Sequence, residues 1–199
     1  MIDIIIGKRV LLFPLEVVDI DHFVQLHRED KNGMLGEFCL REMTFEEAKK
    51  YILTLLVTNQ IRVFTGYAKE GKASKKLGYI YLSCVTPFSC NVVGIIDKEM
   101  LKGLGKVIRQ DKYTFSEDAL RTITQWCFNG AGFTRIEYRT FKKNLLSMRL
   151  AEKAGFTREG ILRKSFKIGE DYLDMVIYSI LKDEYKLPDG GKIEVIHKE

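Results

Sequence analysis

Residues 144–160, NLLSMRLAEKAGFTREG, read as a polar residue, one short amphipathic helix, a glycine stop and the start of a strand. Leu146, Leu150 and Ala154 recur at helical spacing, while Arg149, Glu152 and Lys153 share the other side, where i+3 and i+4 pairs form. Gly155 ends the helix. The spacing predicts a helix packed on a sheet. By itself it leaves open whether Asn144 and Ser147 do more than cap and solvate that helix.

Working outward, TRIEYRTF (134–141) is a strand that alternates Ile136, Tyr138 and Thr140 against Arg135, Glu137 and Arg139. Before it, a helix is expected from about Thr114 to Phe128. A capping box of Thr114 with Glu117 opens it, and Ala119, Leu120, Ile123, Trp126 and Cys127 lie on one apolar side. After the opening stretch, FTREGILRKSF (156–166) and DYLDMVIYSIL (171–181) are strands around the turn KIGED.

The first half supplies a strand in KRVLLFPL (8–15), then a helix in DIDHFVQLHRED with Asp19 at its cap. A second helix follows in TFEEAKKYILTLL, where Thr44 and Glu47 form a capping box. IRVFTGYAK (61–69) and KLGYIYLSCV (76–85) read as a meander, and NVVGIIDKEM (91–100) as one more strand. No internal repeat is visible.

The composition narrows the class. A chain of 199 residues, 46% apolar and 30% charged, suits one well-buried core. It carries +5 net charge with a pI near 8.9, but the basic residues are dispersed, so direct nucleic-acid binding is not expected. The cysteines at 39, 84, 90 and 127 stand singly, without ligand spacing, and read as small core residues in a reducing compartment. The N-terminal apolar run breaks after six residues, too short for a signal sequence or a membrane span, so a cytoplasmic protein is expected. The domain is placed at residues 1–188, with 189–199, DGGKIEVIHKE, as a short polar C-terminal tail.

Over residues 8–184 this order of elements resembles the GNAT acetyltransferase fold. NLLSMRLAEKAGFTREGILR is similar to the N-x-x-S…EK-x-GF-x-x-EG-x-x-R signature of the ribosomal-protein N-terminal alanine acetyltransferase branch. DYLDMVIYSIL resembles that branch's closing strand, and KRVLLFPLEVVDIDHFVQL its opening. The resemblance implies an α+β protein in α/β/α layers. Its sheet would be mixed and mostly antiparallel, with seven strands and a splayed central parallel pair, here NVVGIID and RIEYRTF.

It also implies transfer of an acetyl group from acetyl-CoA to a primary amine, either a protein N-terminus or a small amine, with no metal; a homodimer is compatible with it. Such a reaction needs a neutral amine, a donor for the carbonyl oxygen, a proton for the departing thiolate and a slot for the pantetheine. By resemblance, Asn144 helps hold the pantetheine arm and Ser147 lies near the cofactor sulfur. Other branches use a tyrosine four residues later; here that residue is Ala151, which leaves Ser147 as the motif's proton donor.

The pyrophosphate has two candidate sites. KGLGK (102–106) carries the glycines, whereas DKYTFS (111–116) runs straight into the capped helix. A helix N-terminus with free amides favours an anion, which points to Lys112, Tyr113, Thr114, Phe115 and Ser116. Against this, Glu117 and Asp118 add negative charge in the first turn. The missing glycines also motivate an alternative, a catalytically impaired CoA-binding or regulatory module of the same fold.

Smaller expectations attach to other polar residues. His22 and His27 fall on the first helix, which by resemblance walls the substrate side, although a surface or capping role is commoner. Glu37, Glu42 and Glu46 are candidate amine-side carboxylates. Phe166 stands where some relatives place a carboxylate. Tyr79 and Tyr81 are expected to pack rather than react.

Overall fold

The computed structural model describes residues 2–30, 40–70, 73–97, 112–186 and 193–198. Nine strands form one sheet: β1 (Ile2–Ile6), β2 (Val10–Pro14), β3 (Arg62–Glu70), β4 (Ala73–Ser83), β5 (Ser89–Ile96), β6 (Arg135–Phe141), β7 (Thr157–Ile168), β8 (Asp171–Leu181) and β9 (Glu194–Lys198). Their order is β7-β8-β6-β5-β4-β3-β2-β1-β9. The β5–β6 pair is parallel; every other neighbouring pair is antiparallel.

Helices cover both faces, which gives the expected α/β/α layers. On one face lie α1 (Val17–Arg28) and α2 (Phe45–Val57). On the other lie α3 (Lys112–Asn129) and α4 (Leu145–Lys153). Strand alternation feeds both cores. Leu12, Leu82, Val92 and Ile136 meet Ile123, Trp126 and Ala151 on the α3/α4 face. Val63, Tyr79, Tyr81 and Ile95 meet Phe23, Val24 and Ile52 on the α1/α2 face. Neither core exists without the sheet between them, so burial of apolar surface holds the three layers as one unit.

Four expectations need correction. The sheet has two strands beyond the seven: Ile2–Ile6 forms β1 ahead of the expected first strand, and residues expected as a polar tail form β9, which pairs with β1 from Ile2↔Lys198 to Ile6↔Glu194. A short strand with charged residues at both ends suits a sheet edge but carries little apolar signal. Asp19 is not a cap: Glu16 holds that position, and the Asp19 carboxylate accepts from Thr65 Oγ1 at 3.0 Å and pairs with Lys76. Thr114 is the third residue of α3, not its cap, and Glu117 accepts from Arg121 Nε at 3.1 Å instead of closing a capping box. Cys84, expected in the core, is exposed at the end of β4 in a left-handed conformation, φ 49°.

Two local expectations hold. Thr44 and Glu47 close the capping box of α2, with the Thr44 N–H donating to the Glu47 carboxylate at 2.8 Å. Cys90 and Cys127 are buried, their Sγ atoms 4.0 Å apart. Cys39 lies outside the described residues.

Candidate active site

The parallel pair is short. β5 and β6 are in register at Ser89↔Arg135, Cys90↔Ile136 and Asn91↔Glu137, and no further. Past that point β5 stays bonded to β4 as far as Ile96, and β6 to β8 as far as Phe141. Each strand leaves with its outer neighbour, so a wedge opens between them. Backbone groups on the facing edges of Val92–Ile96 and Tyr138–Phe141 are thereby released from the β5–β6 ladder.

The wedge leads to a cavity of about 380 Å³ on the α3/α4 face, a size that suits a small-molecule site. Leu12, Ile80 and Val92 form its apolar floor. Two glycines shape it. At Gly94 a Cβ would meet no atom within 4 Å, so this residue keeps part of the slot open. At Gly78, φ is 148° and a Cβ would lie 2.0 Å from the Ile95 carbonyl oxygen, so only glycine lets β4 press against β5 there.

Asn144 and Ser147 both face this cavity. Asn144 is the N-cap of α4: its Oδ1 accepts from the Ser147 N–H at 3.2 Å. Capping and lining the cavity are therefore not alternatives for this residue. The Ser147 hydroxyl lies 2.6 Å from the Tyr138 hydroxyl, and Tyr138 is itself a cavity wall on β6, only 7% exposed. Ala151, where a tyrosine would stand in related sequences, is fully buried and lets α4 sit close to the sheet.

The start of α3 forms another wall through Phe115 and Ser116. Lys112, Tyr113 and Thr114 make the first turn of that helix, directly before this wall. KGLGK lies outside the described residues. The two acids that seemed to oppose an anion here are committed elsewhere. Asp118 accepts from the backbone N–H of Arg9 at 2.6 Å and of Val10 at 3.1 Å, tying α3 to β2, and burial raises its carboxyl above the usual range. Glu117 is paired with Arg121 at 3.0 Å. The Arg9 guanidinium meanwhile stacks over the Phe115 ring at 4.5 Å, which brings a fixed cation to this end of the helix.

Beneath the splay, on the opposite face of the sheet, is a second cavity of about 550 Å³, lined by Tyr51, Leu55, Ser83, Cys84, Arg139 and Phe166 among others. Phe166 packs edge-on to Phe141 with centroids 5.3 Å apart. Glu42 and Glu46 are exposed, and Glu37 lies outside the described residues. The histidines of α1 are both engaged. His22 Nδ1 is 2.7 Å from the Tyr79 hydroxyl and its Nε2 3.0 Å from Asp97. His27 is buried with Nδ1 2.9 Å from the Phe23 carbonyl oxygen, and burial lowers its pKa to about 4. Tyr79 and Tyr81 pack in the core against Phe23, as expected.

Sequence reasoning missed Tyr138, Arg9 and Gly94. The alternation that turned Tyr138 inward was legible, but its pairing with Ser147 depends on the turn between β6 and α4. Arg9 and Phe115 are brought together only by the packing of α3 on β2.

A family model described as an acetyltransferase (GNAT) domain matches residues 9–157. Among curated proteins, the probable N-acetyltransferase YjcK of Bacillus subtilis is 39% identical over 67 residues, 34% of this chain and 37% of that protein. The uncharacterized N-acetyltransferase p20 of Bacillus licheniformis is 30% identical over 71 residues, 36% of this chain and 40% of that one. The matches thus span about two fifths of these relatives. Among solved structures, a spermidine N-acetyltransferase from Vibrio cholerae in complex with CoA and spermine superimposes with a TM-score of 0.71 at 20% identity, over 89% of this chain and 98% of that one. A probable acetyltransferase of the GNAT family from Chromobacterium violaceum gives 0.62 at 19% identity, over 89% and 85%.

Proposed function

Because the chain belongs to the GNAT acetyltransferase family, we propose that it moves an acetyl group from acetyl-CoA to a primary amine. The observation that carries this reading is the loss of β5–β6 pairing after Asn91 and Glu137. It opens a slot onto which Asn144, Ser147 and the first turns of α3 converge. The pantetheine arm takes the slot, where released backbone amides of β5 receive its carbonyl groups and the oxygen of the tetrahedral intermediate. Lys112, Tyr113, Thr114, Phe115 and Ser116 present the start of α3 to the pyrophosphate, and Arg9 supplements the helix dipole there. Asn144 fixes the entry to α4 beside the arm, and Ser147 gives its proton to the thiolate as the C–S bond breaks.

The amine then enters from the other face, through the cavity beneath the splay. Attack from that side leaves the cofactor face undisturbed and brings the amine over the face of the thioester carbonyl held in the gap. Two acceptor types have support. The structural neighbours include spermidine acetyltransferases, which favours a small amine. The 144–163 signature favours a protein N-terminus.

Calorimetry with acetyl-CoA, followed by CoA-thiol release with spermidine, simple alkyl amines and peptides beginning with alanine, tests the reading. Binding with release is expected. Binding without release from any amine would instead support the non-catalytic CoA-binding module, and no binding at millimolar acetyl-CoA ends both readings. Ser147→Ala is expected to lower turnover about 100-fold while acetyl-CoA affinity changes less than about threefold. Unchanged turnover would remove Ser147 from the mechanism.

A further inference from the structure

Taking Ser147 as the proton donor, the premise on which this inference rests, we infer that Tyr138 is a positioning residue that resupplies Ser147 with a proton during thiolate departure. The geometry is a hydroxyl pair at the cavity wall. Tyr138 Oη and Ser147 Oγ are 2.6 Å apart, short enough for one to donate squarely to the other. Their access differs. Tyr138 is 7% exposed and its ring packs against Phe156 at 6.0 Å, whereas Ser147 is partly exposed at the cavity. Both residues line the cavity, but Ser147 is the more exposed of the two and is placed to deliver a proton into it, with the more buried phenol hydrogen-bonded to it.

Acidity decides why the second hydroxyl matters. A serine that gave up its proton alone would be left as an alkoxide. An ordinary phenol titrates near 10 and water at 15.7, with simple alcohols close to water, so a phenolate is easier to form by roughly five orders of magnitude. In the step proposed, the C–S bond of the tetrahedral intermediate breaks and its electron pair goes to sulfur. The Ser147 proton passes to that sulfur as the Tyr138 proton passes to Ser147 Oγ. As the oxyanion re-forms the carbonyl, the serine ends neutral, the thiol is complete and the charge rests on Tyr138; the acetylated nitrogen releases its surplus proton to water, and Tyr138 regains one from water after product leaves.

Several neighbours of the pair among the described residues are engaged with partners of their own. Tyr178, directly opposite Tyr138 on β8, donates its hydroxyl to Glu152 of α4 at 3.1 Å. Glu137 and Arg139, the neighbours of Tyr138 on β6, are paired with each other at 2.7 Å. On α4, Asn144 spends its side-chain oxygen on the Ser147 amide.

The test uses the full chain, acetyl-CoA and whichever amine of the panel above releases CoA fastest; no release with any amine fails the transferase reading itself. Tyr138→Phe is expected to lower kcat by about 10- to 100-fold with KM for acetyl-CoA within about threefold. Because the two hydroxyls act in series, the Ser147→Ala, Tyr138→Phe double variant should match Ser147→Ala within about twofold, not show the product of both losses. Replacing Tyr138 by 3-fluorotyrosine, a more acidic phenol of nearly the same shape, should move the alkaline limb of kcat to lower pH, and this also covers a Phe variant that fails to fold. A Tyr138→Phe enzyme with kcat within twofold of wild type, a fully multiplicative double variant, or an unmoved alkaline limb overturns the proposal while Ser147 keeps its role. Full activity in Ser147→Ala removes premise and proposal together.

Discussion

The two faces of the sheet use the same kind of residue to opposite ends. On the α1/α2 face, the Tyr79 hydroxyl is 2.7 Å from His22 Nδ1 and accepts from Lys76 Nζ at 3.0 Å; His22 reaches Asp97, and Lys76 reaches Asp19, which also holds Thr65. Burial and the nearby Asp19 and Asp97 carboxylates push the Tyr79 phenol far above its usual range. That network ties α1 to β3, β4 and the residue that follows β5. On the α3/α4 face, Tyr138 meets Ser147 at the wall of an open slot. A polar group inside a fold stabilises it when its partners are internal, and is available for chemistry when part of its surroundings is left vacant for a ligand.

The contrast breaks most sharply at Gly94. A Cβ there would have no neighbour within 4 Å, so a side chain starts out into the open slot and not against packed atoms. Gly94→Trp is therefore expected to weaken acetyl-CoA binding by about 1,000-fold, about 4 kcal/mol, while the melting temperature stays within a few degrees. Calorimetry and a thermal melt read the two effects separately. Retained affinity would mean that the cofactor does not use the splay.

His27, in the core of the α1/α2 face and outside both cavities, should respond in the other way, through stability and not binding. His27 is buried beside Tyr81, and because the Phe23 carbonyl oxygen can only accept, Nδ1 carries a proton. Its pKa falls from 6.5 to about 4 in the fold, chiefly through desolvation. The unfolded chain thus takes up a proton that the folded chain resists. The stabilisation is complete above pH 6.5 and is lost as pH falls toward 4, by about 3 kcal/mol. Urea titrations at pH 7, 5.5 and 4.5 should show this slope in the wild type and lose it in His27→Leu. Parallel slopes in the two proteins would show that His27 does not titrate in this way.

How far the sequence reaches follows the same division. The helix at 145–153 and the capping box at Thr44 were legible because their signals are local, within four residues of chain. The parallel pair and its splay were expected only through resemblance, since nothing in NVVGIID or RIEYRTF says where pairing stops. Asp19 and Thr114 misled for different reasons. Asp19 found better partners than a cap in Thr65 and Lys76 on β3 and β4, whereas Thr114 lies inside α3, which starts two residues earlier at Lys112. Asn144 and Ser147, which the motif singled out, both line the cavity. Tyr138 was not singled out, because a hydroxyl nine residues away becomes a neighbour only once the strand, turn and helix are folded.

The smallest effect is expected at the sheet edge, where the α3/α4 face also contains a satisfied polar group. Asp3 of β1 accepts from Trp126 Nε1 of α3 at 3.0 Å and meets His197 Nδ1 of β9 at 2.7 Å. The two bonds are not equivalent. Trp126 is buried, so removal of its acceptor leaves an indole N–H without that partner, whereas His197 is 59% exposed and water replaces Asp3 readily. Asp3→Ala should cost about 1–2 kcal/mol in urea denaturation, and His197→Ala no more than about 0.5 kcal/mol. Acetyl-CoA affinity should not change in either, because neither residue borders the slot. If His197→Ala costs as much as Asp3→Ala, β9 is held by that exposed pair. If both are nearly silent, β9 is held by its backbone ladder to β1 and by the apolar contact of Val195 with the core.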